Sequence, residues 1–326
     1  MAIPYVFEDE IEHGVCKRLT PLIRRVICNN PGPFTYTGTT TFIVGNGVVA
    51  IIDPGPKNDA HLDAIISALD PSEVVSHILV THTHSDHSPL ANALKERTGA
   101  KICGFAEINK DRLINKSRID TKVAIEDANF VEMEEAIQRD FNPDIPLQHQ
   151  DILNGPDWTL EAIYTPGHIN NHLCFLLHEE KTVFTGDHIM GWATSVIVPP
   201  DGNMADYMDS LERLLSYDIE VLRPTHGPAI ENPKAFIQAY ITHRQKREEQ
   251  ILSQLAKGTT KIQDMIPVLY ADTDKRLYPA AAMSVLAHLE GLVQTGKVIC
   301  KDEIKLSSDF RLRYIRRHLP LAAHNL

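Results

Sequence analysis

In the first two thirds of the chain, the apolar positions alternate between strand spacing and helix spacing. Two runs rich in β-branched residues, at 40–44 and 48–53, flank the turn Gly45-Asn46-Gly47 and predict a β-hairpin. Residues 61–69 place their apolar side chains on one helical face and predict a helix. The pattern then predicts a strand at 77–80, a helix at about 89–98 and a strand at 101–104.

Residues 105–150 interrupt this alternation because they are mostly polar and charged, and we expect a helical insertion or flap there. Short apolar runs then predict strands at 159–165, 172–177 and 181–185, a helix at about 204–216, and a strand at 220–223. From residue 234 the pattern predicts helices at 234–257, 260–270 and 279–295, and a two-stranded wing at 297–300 and 304–314. The change predicts two domains, 1–232 and 233–326.

Charge is distributed unevenly between these two domains. The chain of 326 residues carries a net charge of −11, yet residues 234–326 hold 15 Lys and Arg against 9 Asp and Glu. A basic C-terminal domain permits an anionic partner, although basic surface also serves solubility. No apolar run reaches the roughly 20 residues that cross a bilayer, so no membrane partner is expected. The first residues are acidic and lack the apolar segment of a secretory signal, so a cytoplasmic location is expected.

A cluster of possible metal ligands directly follows the predicted strand 77–80. His82, His84, Asp86 and His87 place four imidazole or carboxylate groups within six residues. In a loop these side chains can converge, whereas a helix or strand would direct them apart. Three of the chain's 16 histidines in six positions make a coincidental polar loop a poor alternative. Because the five cysteines contain no C-x-x-C pair, the sequence favours an imidazole and carboxylate zinc site over a thiolate one.

Three more candidate ligands each follow a later predicted strand. They are His168 in Thr-Pro-Gly-His, Asp187 in Thr-Gly-Asp and His226 in Thr-His-Gly. Each alone would be an ordinary turn residue. Together with the first cluster, they are typical of ligands delivered to one site by the ends of separate strands.

The motif at 81–87, Thr-His-Thr-His-Ser-Asp-His, with His168, Asp187 and His226 following in that order, resembles the metallo-β-lactamase superfamily over about residues 20–230. The C-terminal part is similar to the winged-helix appendage of the beta-lactamase-like protein 2 group. The resemblance implies an α+β fold: a four-layer αββα sandwich with the site at one edge, followed by a small winged-helix-like α domain.

Carried over position by position, the resemblance implies two zinc ions per chain. One would be held by His82, His84 and His168, and the other by Asp86, His87 and His226, with Asp187 bridging both. Asp53, at the end of an early strand, would accept a hydrogen bond from a ligand histidine and fix its tautomer. Capping of the next helix is the alternative for Asp53. Iron or manganese would suit the same ligands.

The implied mechanism uses water as the nucleophile. Two metals about 3.5–4 Å apart would lower the pKa of a bridging water toward about 7 and so provide hydroxide. Asp86 is the first predicted catalytic residue, because it would both bind a metal and orient the nucleophile. His172, four residues after His168, is the second, through contact with substrate; a structural role is the alternative. The sequence contains no G-x-S-x-G motif that would indicate a serine nucleophile.

The substrate stays open between two classes. One is a small ester, thioester or lactone, and the other is single-stranded RNA, because the group it resembles includes metal-dependent RNA-cleaving enzymes. Basic residues of the C-terminal domain would steer RNA: Arg244, Lys246, Arg247, Arg311, Arg313, Arg316 and Arg317. That domain would otherwise pack on the hydrolase, cap its pocket or form a homodimer. A non-catalytic metal-binding or nucleic-acid-binding protein is a third, less favoured reading of the same residues.

Overall fold

Two β-sheets form the centre of the protein, whose computed structural model describes residues 3–7, 11–105 and 137–313. The first sheet contains β1 (Lys17–Arg18), β2 (Ile23–Ile27), β3 (Thr40–Val44), β4 (Val48–Ile52), β5 (Val74–Leu79), β6 (Lys101–Phe105) and β7 (Ile145–Leu147). The second contains β8 (Ile152–Asn154), β9 (Thr159–Tyr164), β10 (Leu173–Leu177), β11 (Thr182–Gly186) and β12 (Val221–Pro224). The strand orders are β1-β2-β3-β4-β5-β6-β7 and β12-β11-β10-β9-β8.

Helices cover the outer face of each sheet. Helices α1 (Asp59–Ser67) and α2 (Ala91–Thr98) pack on the first sheet, and α3 (Met204–Leu215) packs on the second. Alternate residues of one strand therefore enter different cores: Phe42 and Val44 lie between the two sheets, while Ile43 faces the helices. Strands covered on both faces read as continuous apolar runs. The predicted αββα sandwich is confirmed.

Strand direction brings several loops to one edge of the sandwich. Strands β4, β5 and β6 run parallel to one another, and β11 runs parallel to β12. The carboxyl ends of such neighbours point the same way, so the loops that follow them are neighbours too. Backbone hydrogen bonds then join the two sheets at this edge, since Thr40 N–H donates to Thr225 O and Leu173 N–H donates to Thr81 O.

The C-terminal domain is a winged helix, as predicted. It contains α4 (Pro233–Ala256), α5 (Ile262–Leu269), a short 3-10 helix (Lys275–Leu277), α6 (Tyr278–Gln294) and the hairpin of β13 (Val298–Cys300) and β14 (Phe310–Leu312). Helix α4 joins two cores. Phe236 and Tyr240 pack with the second sheet and α3, whereas Ile251 and Leu255 pack with α5 and α6. The predicted domain boundary at residue 233 stays a prediction.

Several strands escaped prediction from the sequence. Strand β2 contains Arg24 and Arg25, so its sequence does not read as an apolar run. Both side chains are nevertheless buried, and Arg24 pairs with Glu73 at 2.6 Å. Strands β1, β7 and β8 have only two or three residues, too few for a pattern to emerge. Strand β14 begins at Phe310, six residues later than the predicted second strand of the wing. Most of the predicted helical insertion at 105–150 lies outside the described residues, and its described end contains strand β7.

Helices in the described part of the chain are all too short or too polar to cross a bilayer.

Candidate metal centre

All seven predicted ligands lie together at one edge of the sandwich. The loop after β5 carries the first four, and the loops after β9, β11 and β12 carry one each. Their donor atoms form three overlapping groups in which every atom lies within 4.8 Å of the others. The groups are His82 with His84 and His168, His82 with His87 and Asp187, and Asp86 with His87 and His226.

Three imidazole nitrogens make up the first group. His82 Nε2 lies 2.9 Å from His84 Nδ1, and His168 Nε2 lies 3.0 Å from the same atom. Tetrahedral zinc with bonds of about 2.0–2.1 Å would hold ligand nitrogens roughly 3.3 Å apart. The three nitrogens are therefore already close to the spacing that one shared cation requires.

The tautomers of the first group direct lone pairs at that shared point. His168 Nδ1 lies 2.6 Å from the carbonyl oxygen of Val196, which can only accept, so Nδ1 carries the proton and Nε2 is free to bind a metal. His82 Nδ1 lies 3.0 Å from the hydroxyl oxygen of Thr81. That hydroxyl donates to Asp53, so it accepts from His82 and leaves Nε2 unprotonated.

The second group combines two imidazoles with carboxylates. His226 Nε2 lies 3.1 Å from Asp86 Oδ2, and His87 Nε2 lies 3.5 Å from the same oxygen. Both imidazoles also face Asp187, with Oδ1 at 3.4 Å from His226 Nε2 and 3.5 Å from His87 Nε2. His226 Nδ1 donates to the carbonyl of Gly38 at 3.2 Å, which leaves its Nε2 lone pair on the same side.

Asp187 lies between the two groups. Its Oδ1 faces His226 and His87, while its Oδ2 lies 3.9 Å from His168 Nε2 in the first group. A carboxylate that presents one oxygen to each of two ligand sets has the geometry of a bridging ligand. Bridging itself stays a prediction.

Unpaired buried atoms provide a test of whether a metal fits. His87 Nε2, His226 Nε2 and Asp187 Oδ1 are buried and make no well-aligned hydrogen bond within the described residues, although His226 Nε2 lies 3.1 Å from Asp86 Oδ2. A buried polar atom without a partner costs about 1–3 kcal/mol, so such atoms are rare without a reason. These three converge on one point and are of the types that bind divalent metals. The residues therefore fit a metal ion.

Asp53 holds the ligand loops together from behind. Its Oδ2 accepts from His87 Nδ1 at 2.9 Å, Thr81 Oγ1 at 2.8 Å and Thr225 Oγ1 at 2.7 Å, and its Oδ1 accepts from Thr81 N–H at 2.8 Å. The carboxylate is fully buried. Since an ionised carboxylate only accepts, His87 carries its proton on Nδ1 and directs the Nε2 lone pair to the second group. The contact predicted for Asp53 is present, and helix capping is done by Asn58 instead.

Charge differs between the two groups, yet both favour a cation. Burial, with help from neighbouring histidines, lowers the pKa of His84 to about 3, so the imidazole is neutral. Burial also lowers the pKa of His87, but the carboxylates of Asp86, Asp187 and Asp53 outweigh it and hold that pKa well above its usual value. The second group is thus a negative pocket that stabilises positive charge. Without a metal, the raised pKa means that His87 also carries a proton on Nε2; a bound cation would displace that proton and replace its charge, because metal ligands bind in their deprotonated form.

His172, which we predicted to be catalytic, lies behind the ligands. It is fully buried, its Nδ1 lies 2.9 Å from Thr165 Oγ1, and its Nε2 accepts from the backbone N–H of Asp187 at 3.2 Å. This approach requires Gly186, because a Cβ there would lie 2.6 Å from His172 Nε2. Both ring nitrogens are engaged, so the geometry favours positioning of Asp187 over contact with substrate. Asp86, with 20% of its side chain exposed, is the more accessible of the two predicted catalytic residues.

Residues that our sequence reasoning missed support the ligands indirectly. Thr81 and Thr225 each precede a ligand histidine and donate to Asp53, so the repeated Thr-His pair was an available signal. Arg244 on α4 donates to the carbonyl of Ser195, in the loop whose Val196 carbonyl fixes His168. No local pattern reveals that contact, because its partners are far apart in the sequence.

Comparison with known proteins agrees with this geometry. Residues 35–226 match the family described as Metallo-beta-lactamase superfamily, and residues 262–305 match the Beta-lactamase associated winged helix domain. The Beta-lactamase-like protein 2 homolog of Drosophila melanogaster is 31% identical over 296 residues, which cover 86% of this chain and 91% of that protein. The Lactamase-like protein ptaB of Pestalotiopsis fici is 28% identical, with 80% and 76% covered.

Solved structures share the fold over nearly the whole chain. A metallo-beta-lactamase family protein from Thermus thermophilus is 23% identical with a TM-score of 0.70, covering 91% of this chain and 100% of that one. A Beta-lactamase domain protein from Burkholderia ambifaria is 19% identical with a TM-score of 0.74, covering 95% and 97%.

Proposed function

We propose a specific chemistry for a chain that belongs to the metallo-beta-lactamase superfamily and is therefore a hydrolase. In this proposal the protein holds two zinc ions and hydrolyses a small ester, thioester or lactone with an activated water molecule. When bound, the metals would supply a water of lowered pKa and polarise the carbonyl oxygen of the substrate.

One observation carries the proposal: Asp187 presents a different carboxylate oxygen to each of two convergent donor sets. The three-histidine group lies on the side of Oδ2, and Asp86 with its two imidazoles lies on the side of Oδ1. His82, His84 and His168 would hold one metal and Asp86, His87 and His226 the other, with Asp187 shared between them. Two metals held this close together could act on one water molecule, which a single structural zinc would not need to do.

The protein's own groups have distinct parts in this chemistry. Asp86 would hold a metal together with His87 and His226, and its partial exposure would let the carboxylate orient the attacking water. Asp53 keeps His87 in the metal-binding tautomer, and His172 holds the backbone of Asp187 in place. No step requires a serine or cysteine nucleophile. Burial raises the pKa of Cys174 and Cys103 to about 12, which disfavours the reactive thiolate in both.

RNA cleavage is the alternative, and the described contacts give it less support than the sequence did. Two of the basic residues nominated for RNA are engaged elsewhere: Arg244 is buried against Ser195, and Arg247 donates to Leu269 O while lying 4.0 Å from the ring centre of Tyr270. Phosphate contacts need accessible cations. We therefore propose that the C-terminal domain packs on the hydrolase and positions its loops. Homodimer formation is a further proposal, to be checked by solution mass measurement.

Metal content and activity test the function together. The parent should bind two equivalents of zinc, and His84→Ala and Asp187→Asn should bind fewer; His178→Ala, a histidine with 44% of its side chain exposed, is the control. Chelation should abolish hydrolysis of a thioester and lactone panel, and added zinc should restore it.

A parent that binds no more than one equivalent, or that keeps its activity after chelation, would exclude the proposed centre. If iron or manganese restores activity better than zinc, the metal assignment is wrong. Cleavage of single-stranded RNA with no turnover in the panel would favour the alternative.

A further inference from the structure

Four aromatic side chains form a continuous row beside the second ligand group. This aromatic row consists of Tyr5, Phe7, Tyr36 and Trp192. Ring centres are 6.5 Å apart for Tyr5 and Phe7, 6.5 Å for Phe7 and Tyr36, and 5.0 Å for Tyr36 and Trp192, whose rings are nearly parallel at 18°. Aromatic residues make up only 6% of the chain, so a surface on which four of them are neighbours in space needs an explanation.

Trp192 at the inner end of the row packs against Gly227, the residue that follows the candidate ligand His226. A Cβ on Gly227, the residue after His226, would lie 2.7 Å from Cδ1 of Trp192. Tyr36 stands two residues before Gly38, whose carbonyl accepts from His226 Nδ1. At the outer end, the N–H of Val6 donates to Gly191 O at 2.9 Å and fixes the segment with Tyr5 and Phe7 on the same loop. The row therefore runs outward from the second ligand group.

Burial and backbone conformation distinguish this row from aromatic core packing. Phe7 is 61% exposed and Tyr5 is 41% exposed, which is unusual for adjacent large apolar side chains. Tyr36 has a φ of 55°, a left-handed conformation that is an outlier for a bulky residue and costs about 1–3 kcal/mol. Strain of this kind is retained where function requires a side chain to be held in place.

The row also contains a hydrogen-bond donor that lacks an acceptor among the described residues, the indole N–H of Trp192. The chain has two tryptophans, and Trp158 donates from Nε1 to Val48 O at 2.8 Å. The equivalent atom of Trp192 is buried and has no partner within residues 3–7, 11–105 and 137–313. A buried donor without an acceptor is costly, and it points to a ligand oxygen.

We propose that the aromatic row binds a planar aromatic ring attached close to the scissile carbonyl of the substrate. The ring would stack along Tyr36 and Trp192, and an oxygen substituent on it would reach the buried Nε1 of Trp192 once the groups that cover this atom move apart. The inner end of the row packs against the residue after His226, so in this proposal the ring lies near the bond that is cleaved. The inference rests on the proposed hydrolase function and narrows its substrate class to aryl esters, thioesters or lactones.

A stacked RNA base is disfavoured by the charge around the row. The segments that carry it, residues 3–7, 32–38 and 190–194, contain no Lys or Arg. Arg244 is close enough to Tyr5 to oppose the rise that burial causes in the tyrosine pKa, but this guanidinium is buried and donates to Ser195 O. Nucleic-acid channels combine stacking platforms with accessible cations that follow the phosphates. The inner end of the row instead adjoins the ligand group that contains the carboxylate of Asp86.

Matched substrates separate aromatic recognition from size and reactivity. We would compare kcat/KM for the phenylacetyl and cyclohexylacetyl thioesters of one thiol, in which a methylene insulates the carbonyl from the ring. The zinc-loaded parent should prefer the phenylacetyl substrate by about 10-fold, the scale of one good aromatic stacking contact, because the two rings bury similar areas and burial cancels in the comparison. Trp192→Leu and Phe7→Leu should each reduce that preference, which is measured as the ratio of the two kcat/KM values so that a loss of activity common to both substrates cancels. Tyr278 packs against the core of the winged helix, so Tyr278→Leu is the control and should leave the preference unchanged.

Binding gives a second readout that does not need turnover. In a Trp158→Phe background Trp192 is the sole tryptophan, so its emission is seen alone when the excitation wavelength is one that tyrosine does not absorb. Phenylacetate should quench that emission at lower concentration than cyclohexylacetate does. Equal use of the two thioesters, or a preference that survives both row substitutions, overturns the inference but leaves the hydrolase proposal intact. If neither thioester is cleaved, the fluorescence titration alone decides whether the row binds aromatic rings, and the proposed function fails only when the thioester and lactone panel also shows no turnover. RNA cleavage that falls in Trp192→Leu would assign the row to bases instead.

Discussion

Replacing Asp53 with Asn isolates the hydrogen bonds that prepare the second ligand group. Asp53 has a φ of 50°, and Asn tolerates this left-handed conformation better than most residues, so the backbone should be preserved. The side-chain volume is also nearly unchanged. What is lost is an acceptor: three donors, from His87, Thr81 and Thr225, converge on Oδ2.

The geometry of those donors predicts where the damage falls. With the remaining oxygen kept on Thr81 N–H, the new amide nitrogen would face all three donors. The threonine hydroxyls can rotate and accept, but the His87 imidazole can avoid the clash only by moving its proton to Nε2. That proton would occupy the position from which His87 faces Asp86 and Asp187. Loss of such an orienting partner typically costs 10–100-fold in metal affinity, or about 1.4–2.7 kcal/mol.

Competition between the protein and a chromophoric chelator would measure the effect. Asp53→Asn should retain tight binding of one zinc equivalent, through the histidines of the first group, and bind the second 10–100-fold more weakly. Asp63→Asn, a surface carboxylate with 69% of its side chain exposed, should bind both as the parent does. Two equivalents bound at parental affinity in Asp53→Asn would refute the reasoning, because the tautomer of His87 would then not depend on Asp53.

Three further substitutions test other parts of the structure. Gly186→Ala should weaken zinc binding in the same titration, because its Cβ would lie 2.6 Å from His172 Nε2; parental affinity would contradict this. Arg244→Met keeps much of the buried side-chain volume but removes the guanidinium that donates to Ser195 O in the loop behind His168. This substitution should cost about 10-fold in zinc affinity. An unchanged titration would show that the loop keeps its position without Arg244. Burial lowers the pKa of His61 from 6.5 to about 4, so the folded protein keeps this imidazole neutral where the unfolded chain would protonate it. The contribution of His61 to the free energy of unfolding is therefore complete above pH 6.5 and is lost as the pH falls toward 4. Metal-free parent should therefore lose on the order of 3 kcal/mol more than His61→Gln over that range in urea unfolding; parallel curves for the two would exclude this.

Sequence reasoning succeeded where chemistry and chain direction coincide. Four of the seven candidate ligands lie within one loop, and the others follow strands whose ends meet at one edge. Short-range apolar periodicity was enough to find the strands that lead to them. The supporting contacts were harder to predict, because each joins distant residues. His172 illustrates the limit: its spacing from His168 suggested substrate contact, but only the fold shows that its Nε2 meets the backbone of Asp187.

The aromatic row could not be predicted for the same reason. Tyr36 and Trp192 are 156 positions apart, and neither belongs to a local pattern that differs from ordinary loop sequence. The first tryptophan along the chain, Trp158, is a core residue with a satisfied indole, so residue type alone does not distinguish a binding role. The distinguishing facts are exposure, an unpaired donor and proximity to a ligand, which arise only on folding.

Helix α4 shows why the role of the C-terminal domain was also left open. Apolar residues occur at both ends of this helix, yet Phe236 and Tyr240 belong to the hydrolase core and Ile251 and Leu255 to the winged-helix core. The Tyr240 hydroxyl donates to the carbonyl of Met190 at 2.5 Å, three residues after Asp187, so α4 also fastens the loop that leaves this candidate ligand. Removing residues from 233 onward would therefore strip the hydrolase of part of its own core and release that loop. Activity lost on such a deletion would reflect damage to the metal centre, and is not evidence that the winged helix binds substrate.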